Sequence, residues 1–398
     1  MITISKPFLT ENNGKIRLNS EIGINTEKSI VWFEVEPQFG DYLCVERSDA
    51  FVIGILNYAM RNKHDIACEA PMGEYLYYNL IHHFIPALHD SGNDMYATKI
   101  TAQIDSNTLP NAGAVGTGIS CGVDSLHAIS QNNDSKLSRH KITHLAFNNV
   151  GAHGEGEKAQ ELFAKRRTKS RRFAEEEGFV YVESDSNIMD IIPQEHYLTH
   201  IYTSTFAILC LQKLYSVYYY ASSRPYSDFR LFENELNSPD LYELLSVFCF
   251  STDNLTIYSE GGNLSRFEKT KRISEYSPSF RHLNVCVVSA DNCGVCPKCR
   301  RTLTDLDALG VLDNFGEVFD VEYYKKNRRW YLAKAHAYYK TGNPYAKDSY
   351  SILKDQISLS VRVKSIPTQI FLKVDHMKEG RRKKGLLTIV NILIKLQG

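Results

Sequence analysis

Apolar and polar positions alternate with a period of two near the N-terminus, at residues 16–18 and 29–35, which predicts half-buried strands. Helical spacing follows. Ser48-Asp49-Ala50 stands as a cap ahead of Phe51, Ile55 and Ala59, and Leu76, Leu80 and Phe84 share one face of a second helix after Met72. His82 and His83 fall on that second helix as surface or boundary residues, without metal-ligand spacing. Residues 1–110 therefore read as an α+β accessory domain, and the stretch 107–113, with Leu109-Pro110-Asn111-Ala112, reads as its linker.

Over residues 111–312 the rhythm becomes strand, loop, helix. Residues 142–147 form a largely apolar segment suited to a buried strand, 157–177 a long polar helix, and 179–182 the next strand. Residues 198–220 read as one aromatic-rich helix with Phe206, Leu209, Leu214 and Tyr218 in the core and Thr203, Ser204 and Thr205 as capping or pocket residues. Residues 254–258 give a short strand, and 260–271 end in a basic helix start. Such alternation implies parallel βαβ units, with ligand-binding loops gathered at the C-terminal ends of the strands. Beyond 312 the strand pattern stops: 323–340 and 345–354 read as helices, and 313–398 as a helical extension ending in Arg381-Arg382-Lys383-Lys384 and an apolar stretch at 386–396.

Composition narrows the class. Forty-six basic residues balance forty-six acidic ones, so no global charge draws the chain to nucleic acid or an anionic membrane. A local attraction remains open in the helix run Lys165, Arg166, Arg167, Lys169, Arg171 and Arg172, which reads either as a solvated face or as a contact for polyphosphate or RNA backbone. No stretch approaches the ~20 apolar residues of a spanning helix, and the start lacks the pattern of a secretion signal. A cytoplasmic protein that neither crosses membranes nor depends on nucleic acid is the expectation. Nine cysteines, an odd number, argue against a disulfide framework.

Two motifs carry chemistry. Residues 116–125, Gly-Thr-Gly-Ile-Ser-Cys-Gly-Val-Asp-Ser, are a small-residue loop running into a helix start, where backbone N–H groups and hydroxyls face an anion. The glycine spacing is wrong for a dinucleotide fingerprint, and no Gly-Lys-Ser/Thr closes a Walker loop. The second motif is Cys286-x6-Cys293-Gly-Val-Cys296-Pro-Lys-Cys299. Its four thiolates can close a tetrahedral Zn2+ site with no open position, hence a structural one. An iron–sulfur cluster is the competitor, but the further Cys-Pro of the ferredoxin run is missing.

Ser120-Cys121-Gly122-Val123-Asp124-Ser125 resembles the Ser-Gly-Gly-x-Asp-Ser pyrophosphate loop of the ATP pyrophosphatases, the adenine nucleotide alpha hydrolase-like enzymes. Together with the cysteine cluster and its following Arg300, it is similar to the QueC family of 7-cyano-7-deazaguanine synthases over about half the chain. Phe147 and His153 align with the ends of that family's Phe-Asp-Tyr-Gly-Gln-Arg-His segment, and residues 266–271 resemble its lysine-bearing helix start. Two departures stand out: Cys121 replaces a glycine, and Asn148-Asn149-Val150-Gly151-Ala152 replaces the middle of that segment. Cys121 reads as a tolerated small side chain or as a sulfur nucleophile.

The resemblance implies an α/β fold: a Rossmann-like parallel sheet (PP-loop ATPase) between the N-terminal α+β domain and the C-terminal helical extension. It implies ATP with Mg2+, adenylation of a carboxylate such as 7-carboxy-7-deazaguanine with release of pyrophosphate, and acyl transfer to ammonia or to a protein amine. Ser120, Cys121, Gly122, Val123, Asp124 and Ser125 would hold the nucleotide, Lys269 would neutralise phosphate and His153 would orient a reactant, while Cys286, Cys293, Cys296 and Cys299 would hold Zn2+. Long QueC-like members occur in anti-phage defence operons, and the accessory domain would suit a larger acceptor or a homodimer. The alternatives are a tRNA-modifying thiolation or amidation enzyme of the same fold, and a non-catalytic nucleotide-binding scaffold.

Overall fold

The small-residue run Ala114–Gly118 forms the strand at which the sheet reverses its order. In this computed structural model, which describes residues 1–375 except 93, 134, 153–156, 193 and 233–237, the strands in chain order are β1 (Ile2–Ile4), β2 (Phe8–Asn12), β3 (Lys15–Ile24), β4 (Glu27–Val35), β5 (Ile66–Cys68), β6 (Met72–Gly73), β7 (Ile100–Thr101), β8 (Ile104–Asp105), β9 (Ala114–Gly118), β10 (His144–Asn149), β11 (Val180–Ser186), β12 (Tyr215–Ala221) and β13 (Thr256–Glu260). The main sheet runs β13-β12-β9-β10-β11-β4-β3-β1-β5-β7, with β2 on β3, and β6 pairs β8 apart from it. From β13 to β11 every pairing is parallel. The chain leaves β9 towards β10 and β11 on one side and later returns to β12 and β13 on the other. Parallel α/β structure is thus observed, with β9 at the point where the order reverses.

The N-terminal strands extend this sheet. β4 pairs antiparallel with β11, Val35 opposite Ser184 and Phe33 opposite Ser186, and β3 pairs antiparallel with β4. Asn13 and Gly14, both at positive φ, make the two-residue turn between β2 and β3, the backbone that Asn-Gly favours. Compactness divides the chain differently from the three segments read in the sequence: residues 1–120 and 124–263 form one unit, 121–123 and 264–398 the other. The stretch 107–113 therefore lies inside the first unit.

The helix Asp49–Arg61 is buried almost all round, from Asp49 to Asn57 and again at Ala59 and Met60, where the sequence indicated one apolar face. Gly54 permits that packing, since a Cβ there would lie 2.6 Å from Ile188 Cδ1 and 3.2 Å from Phe206 Cδ2. Phe206 meets Phe33 and Phe51 edge-on. Ser48 does not cap the helix with its side chain; its hydroxyl donates to the Ala70 carbonyl at 3.2 Å. The expected helix over 198–220 is corrected: it spans His196–Cys210, and Tyr215–Ala221 is β12, buried between β9 and β13. Tyr215, Val217, Tyr218, Tyr219 and Tyr220 have the aromatic and β-branched character of a strand, and that preference wins over helical spacing. Thr203 and Thr205 are accordingly buried mid-helix and not caps.

Arg47 holds the segment before β9 in place. Its side chain is fully buried; Nε donates to Asp105 at 3.0 Å, Nη1 to Asp253 at 3.1 Å and Nη2 to the Asn107 carbonyl. Removing one partner of a buried charge network strands the others. Arg47→Ala is expected to cost about 3–5 kcal/mol, read as a lowered urea midpoint of the first transition. A midpoint unchanged within error would refute this role.

The long helix Glu157–Glu176 forms as expected, and its cations largely face the protein's own acids. Arg167 and Arg171 both reach the buried Glu183, at 3.2 and 2.8 Å, and Arg171 also reaches Glu36. Arg172 pairs with Glu176 one turn on, at 2.6 Å.

The second unit is helical: Arg266–Ile273, Ser279–His282, Pro297–Leu309, Val321–Lys326, Arg328–Lys340, Lys347–Leu353 and Leu359–Asp375. Leu332, Ala333, Tyr350, Leu353, Ile357 and Val361 form a core there. The basic tail at 381–384 and the apolar stretch 386–396 lie outside the described residues. Among the described residues, no helix is long and apolar enough to cross a membrane.

Candidate functional site

The loop after β9 is built by the smallness of that strand. A Cβ on Gly116 would lie 2.6 Å from Tyr215 Cε1 and 2.9 Å from Tyr218 Cδ2, so glycine lets the tyrosines of β12 lie over β9. Thr117 donates its hydroxyl to the Tyr219 carbonyl at 2.8 Å, and the Ile119 N–H bonds the Ala146 carbonyl of β10 at 2.9 Å. The strand therefore delivers residues 119–122 at the C-terminal end of the sheet, directly into the helix Val123–Asn132. Ser120 and Ser125 close the turn, with hydroxyls 3.2 Å apart and the Ser120 N–H directed at Ser125 Oγ at 3.4 Å. Ser120 is exposed, Gly122 and Asp124 half-buried, Val123 and Ser125 buried. Asp124 sits in the first helical turn.

Cys121 adopts φ +55°, the left-handed conformation that glycine takes up without strain. Its side chain is only 2% exposed, and its carbonyl accepts the Asn284 N–H at 2.8 Å. Holding a non-glycine residue there costs of order 1–3 kcal/mol and needs support from its surroundings.

Lys269 is on the helix Arg266–Ile273 and is 1% exposed. Ser265 caps that helix in a reciprocal box with Glu268, and its hydroxyl also donates to Asp348 at 3.0 Å, so the C-terminal extension fixes the helix start. His153 lies outside the described residues. Ser120, Asp124 and Ser125 belong to the first compact unit, and Cys121, Gly122, Val123 and Lys269 to the second.

Cys286, Cys293, Cys296 and Cys299 are brought together, with all four Sγ atoms within 4.8 Å of one another. The Cys296 N–H points at Cys293 Sγ at 3.3 Å and the Cys299 N–H at Cys296 Sγ at 3.4 Å. Burial by itself would push the Cys296 thiol up, but the backbone N–H groups of Cys299 and Val287, with the neighbouring thiols, outweigh it and bring it down to about 7. Four soft donors converging on one point, with N–H groups stabilising thiolate charge, fit a tetrahedral metal such as zinc. Pro297 at the start of the helix Pro297–Leu309 places Cys296 at the cap and Cys299 in the first turn. Asn292 ties the segment down, accepting the Val285 N–H at 2.8 Å and donating to the Leu283 and Val318 carbonyls.

A third cluster was not read from the sequence. On β10 and β11, Ser184 donates to Asn148 at 2.7 Å and Asn149 to Asp185 at 2.8 Å. Burial, only partly offset by Asn149, raises the Asp185 carboxyl. His200 Nδ1 bonds the Tyr220 hydroxyl at 2.9 Å, His196 stands one turn earlier with ring centroids 6.1 Å apart, and Arg224 pairs with Asp240 at 2.6 Å. The i, i+4 spacing of the two histidines was the available signal; the partners at 220, 224 and 240 could only be found in the fold. Comparison with known protein families, with curated proteins and with solved structures finds no match to this chain.

Proposed function

We propose that the protein is an ATP-dependent ligase of the QueC-like type, which adenylates a carboxylate with release of pyrophosphate and passes the acyl group to ammonia or a larger amine. The observation that carries this reading is the position of the loop 119–122, between the strand at which the parallel order reverses and a helix N-terminus. Anions bind at such a point because backbone N–H groups and the helix dipole converge there. On this reading Ser120, Gly122 and Ser125 cradle the leaving β- and γ-phosphates, and Asp124 is the acid that engages the accompanying Mg2+. Zinc at the four cysteines is structural. The carboxylate belongs to a deazapurine, with 7-carboxy-7-deazaguanine the first substrate to test.

The buried Cys121 thiol and the pairing of Arg167 and Arg171 with Glu183 favour a ligase over a thiol-transferring RNA-modifying enzyme. The full-length protein incubated with ATP, Mg2+ and 7-carboxy-7-deazaguanine is expected to form AMP and pyrophosphate in equal amounts, and Cys121→Ser to keep that activity within about tenfold, a change of 1.4 kcal/mol. No AMP with any deazapurine acid would sink the ligase assignment. Loss of all activity in Cys121→Ser would point to thiol chemistry.

A further inference from the structure

The first unit carries a histidine pair to which the loop chemistry gives no role. The helix His196–Cys210 follows β11, and its first turn presents His196 and, one turn on, His200. His200 is bound to Tyr220, whose place on β12 follows from the pairing of Tyr218 with Gly116 and Tyr219 with Thr117; Tyr220 thus stands beside Gly118, the last residue of β9. His196 faces the turn after β10, where a Cβ on Gly151 would lie 3.1 Å from Nδ1 and 2.7 Å from Met189 Cγ. Both histidines therefore belong to the C-terminal edge of the parallel strands, the edge from which the loop 119–122 also springs. Nδ1 of His196 is buried and has no hydrogen-bond partner among the described residues, while the residue as a whole is half-exposed.

Their electrical state suits accepting a proton. Burial lowers His196 below the ordinary imidazole range. Burial, then the neighbouring His196 and Arg224, with Asp240 opposing, bring His200 down to about 4. Burial, with Glu243, Asp240 and Tyr218 alongside, keeps the Tyr220 hydroxyl protonated, and it shares a hydrogen bond with His200 Nδ1. A neutral His200 held in that way leaves His196 as the imidazole that can take up charge.

Building on the ligase reading, we propose that His196 accepts the proton of the incoming amine during acyl transfer, with His200 and Tyr220 as positioning residues. The amine nitrogen attacks the carbonyl carbon of the acyl-adenylate; the C–N bond forms, the bond from carbon to the phosphate oxygen breaks, AMP departs with that electron pair, and the amine's proton passes to the His196 imidazole. This step consumes the product of the first half-reaction and needs no further reactant.

The test separates the two half-reactions in the full-length protein. Exchange of labelled pyrophosphate into ATP, dependent on 7-carboxy-7-deazaguanine, reports adenylation; amide formation with ammonia reports transfer. In His196→Gln, exchange is expected to stay within about twofold while transfer falls by about 10²–10⁴-fold, the usual weight of a general base. Hydroxylamine, a nucleophile active without a base, should restore product as the hydroxamate. Unchanged transfer, or exchange and transfer falling together, overturns the assignment of His196; absence of exchange in the unaltered protein overturns the ligase reading with it. Should His196→Gln fail to fold, the unaltered protein still decides. At a fixed concentration of free ammonia, the ratio of transfer to exchange must fall on acidification at a pH below the ordinary imidazole range, and a ratio that does not change with pH refutes the proposal.

Discussion

On the ligase reading, Asp124→Ala is expected to abolish carboxylate-dependent pyrophosphate release while leaving the fold in place. Asp124 is the only acid in the loop 116–125 and lies in the first turn of the helix Val123–Asn132, half-buried. Its structural worth is that of an acid near a helix N-terminus, about 0.3–1 kcal/mol, so the melting transition should barely move. Its chemical worth on the ligase reading is larger, because an acid that holds the Mg2+ facing the charge on a leaving pyrophosphate would contribute about 10²–10³-fold. Loss of release at an unchanged melting point separates the two. Asp124→Asn, which keeps the shape but not the charge, should remain as impaired as the alanine variant if engaging Mg2+ is the role. Release within twofold of the unaltered protein would remove Asp124 from the site, whereas no release from the unaltered protein itself would favour a nucleotide-binding scaffold without turnover.

What could be seen in the sequence is what is local. The loop 120–125 and the cysteine cluster 286–299 are contiguous runs whose chemistry depends on spacing, and the helix Glu157–Glu176 announces itself by length and polarity. Residues 210–215 hid a boundary because Leu211-Gln212-Lys213-Leu214 offers neither Gly nor Pro; the turn there is instead fixed from outside, with Gln212 donating to Cys44 Sγ and Asp49 and its carbonyl accepting Asn111. The segment 107–113 looked like a linker by composition, yet the Arg47 guanidinium bonds the Asn107 carbonyl and the Asn111 side chain donates to the Gln212, Tyr215 and Asn254 carbonyls. His196 and Tyr220 were equally unreadable as one site, because a sequence taken as a single helix over 198–220 gives no reason for the chain to return beside β9.

Stripping the metal from the four cysteines is expected to unfold the second unit and, before that, to weaken ATP binding. Structural zinc contributes about 10–16 kcal/mol on binding, as much as the whole stability of an ordinary domain. The link to the loop is short: the Asn284 N–H donates to the Cys121 carbonyl at 2.8 Å, and Asn284 stands two residues before Cys286. A metal at Cys286 and its three partners therefore fixes the strand of backbone that holds Cys121 at φ +55°, a conformation a cysteine would otherwise leave. Mass analysis of the purified protein should give one zinc per chain, and Cys296→Ser should lose it. Graded removal with a chelator should raise the dissociation constant for ATP at metal occupancies where the first unit still melts cooperatively. An iron-dependent visible absorption would reassign the metal, and ATP affinity unchanged in the zinc-free protein would break the link between Cys286 and Cys121.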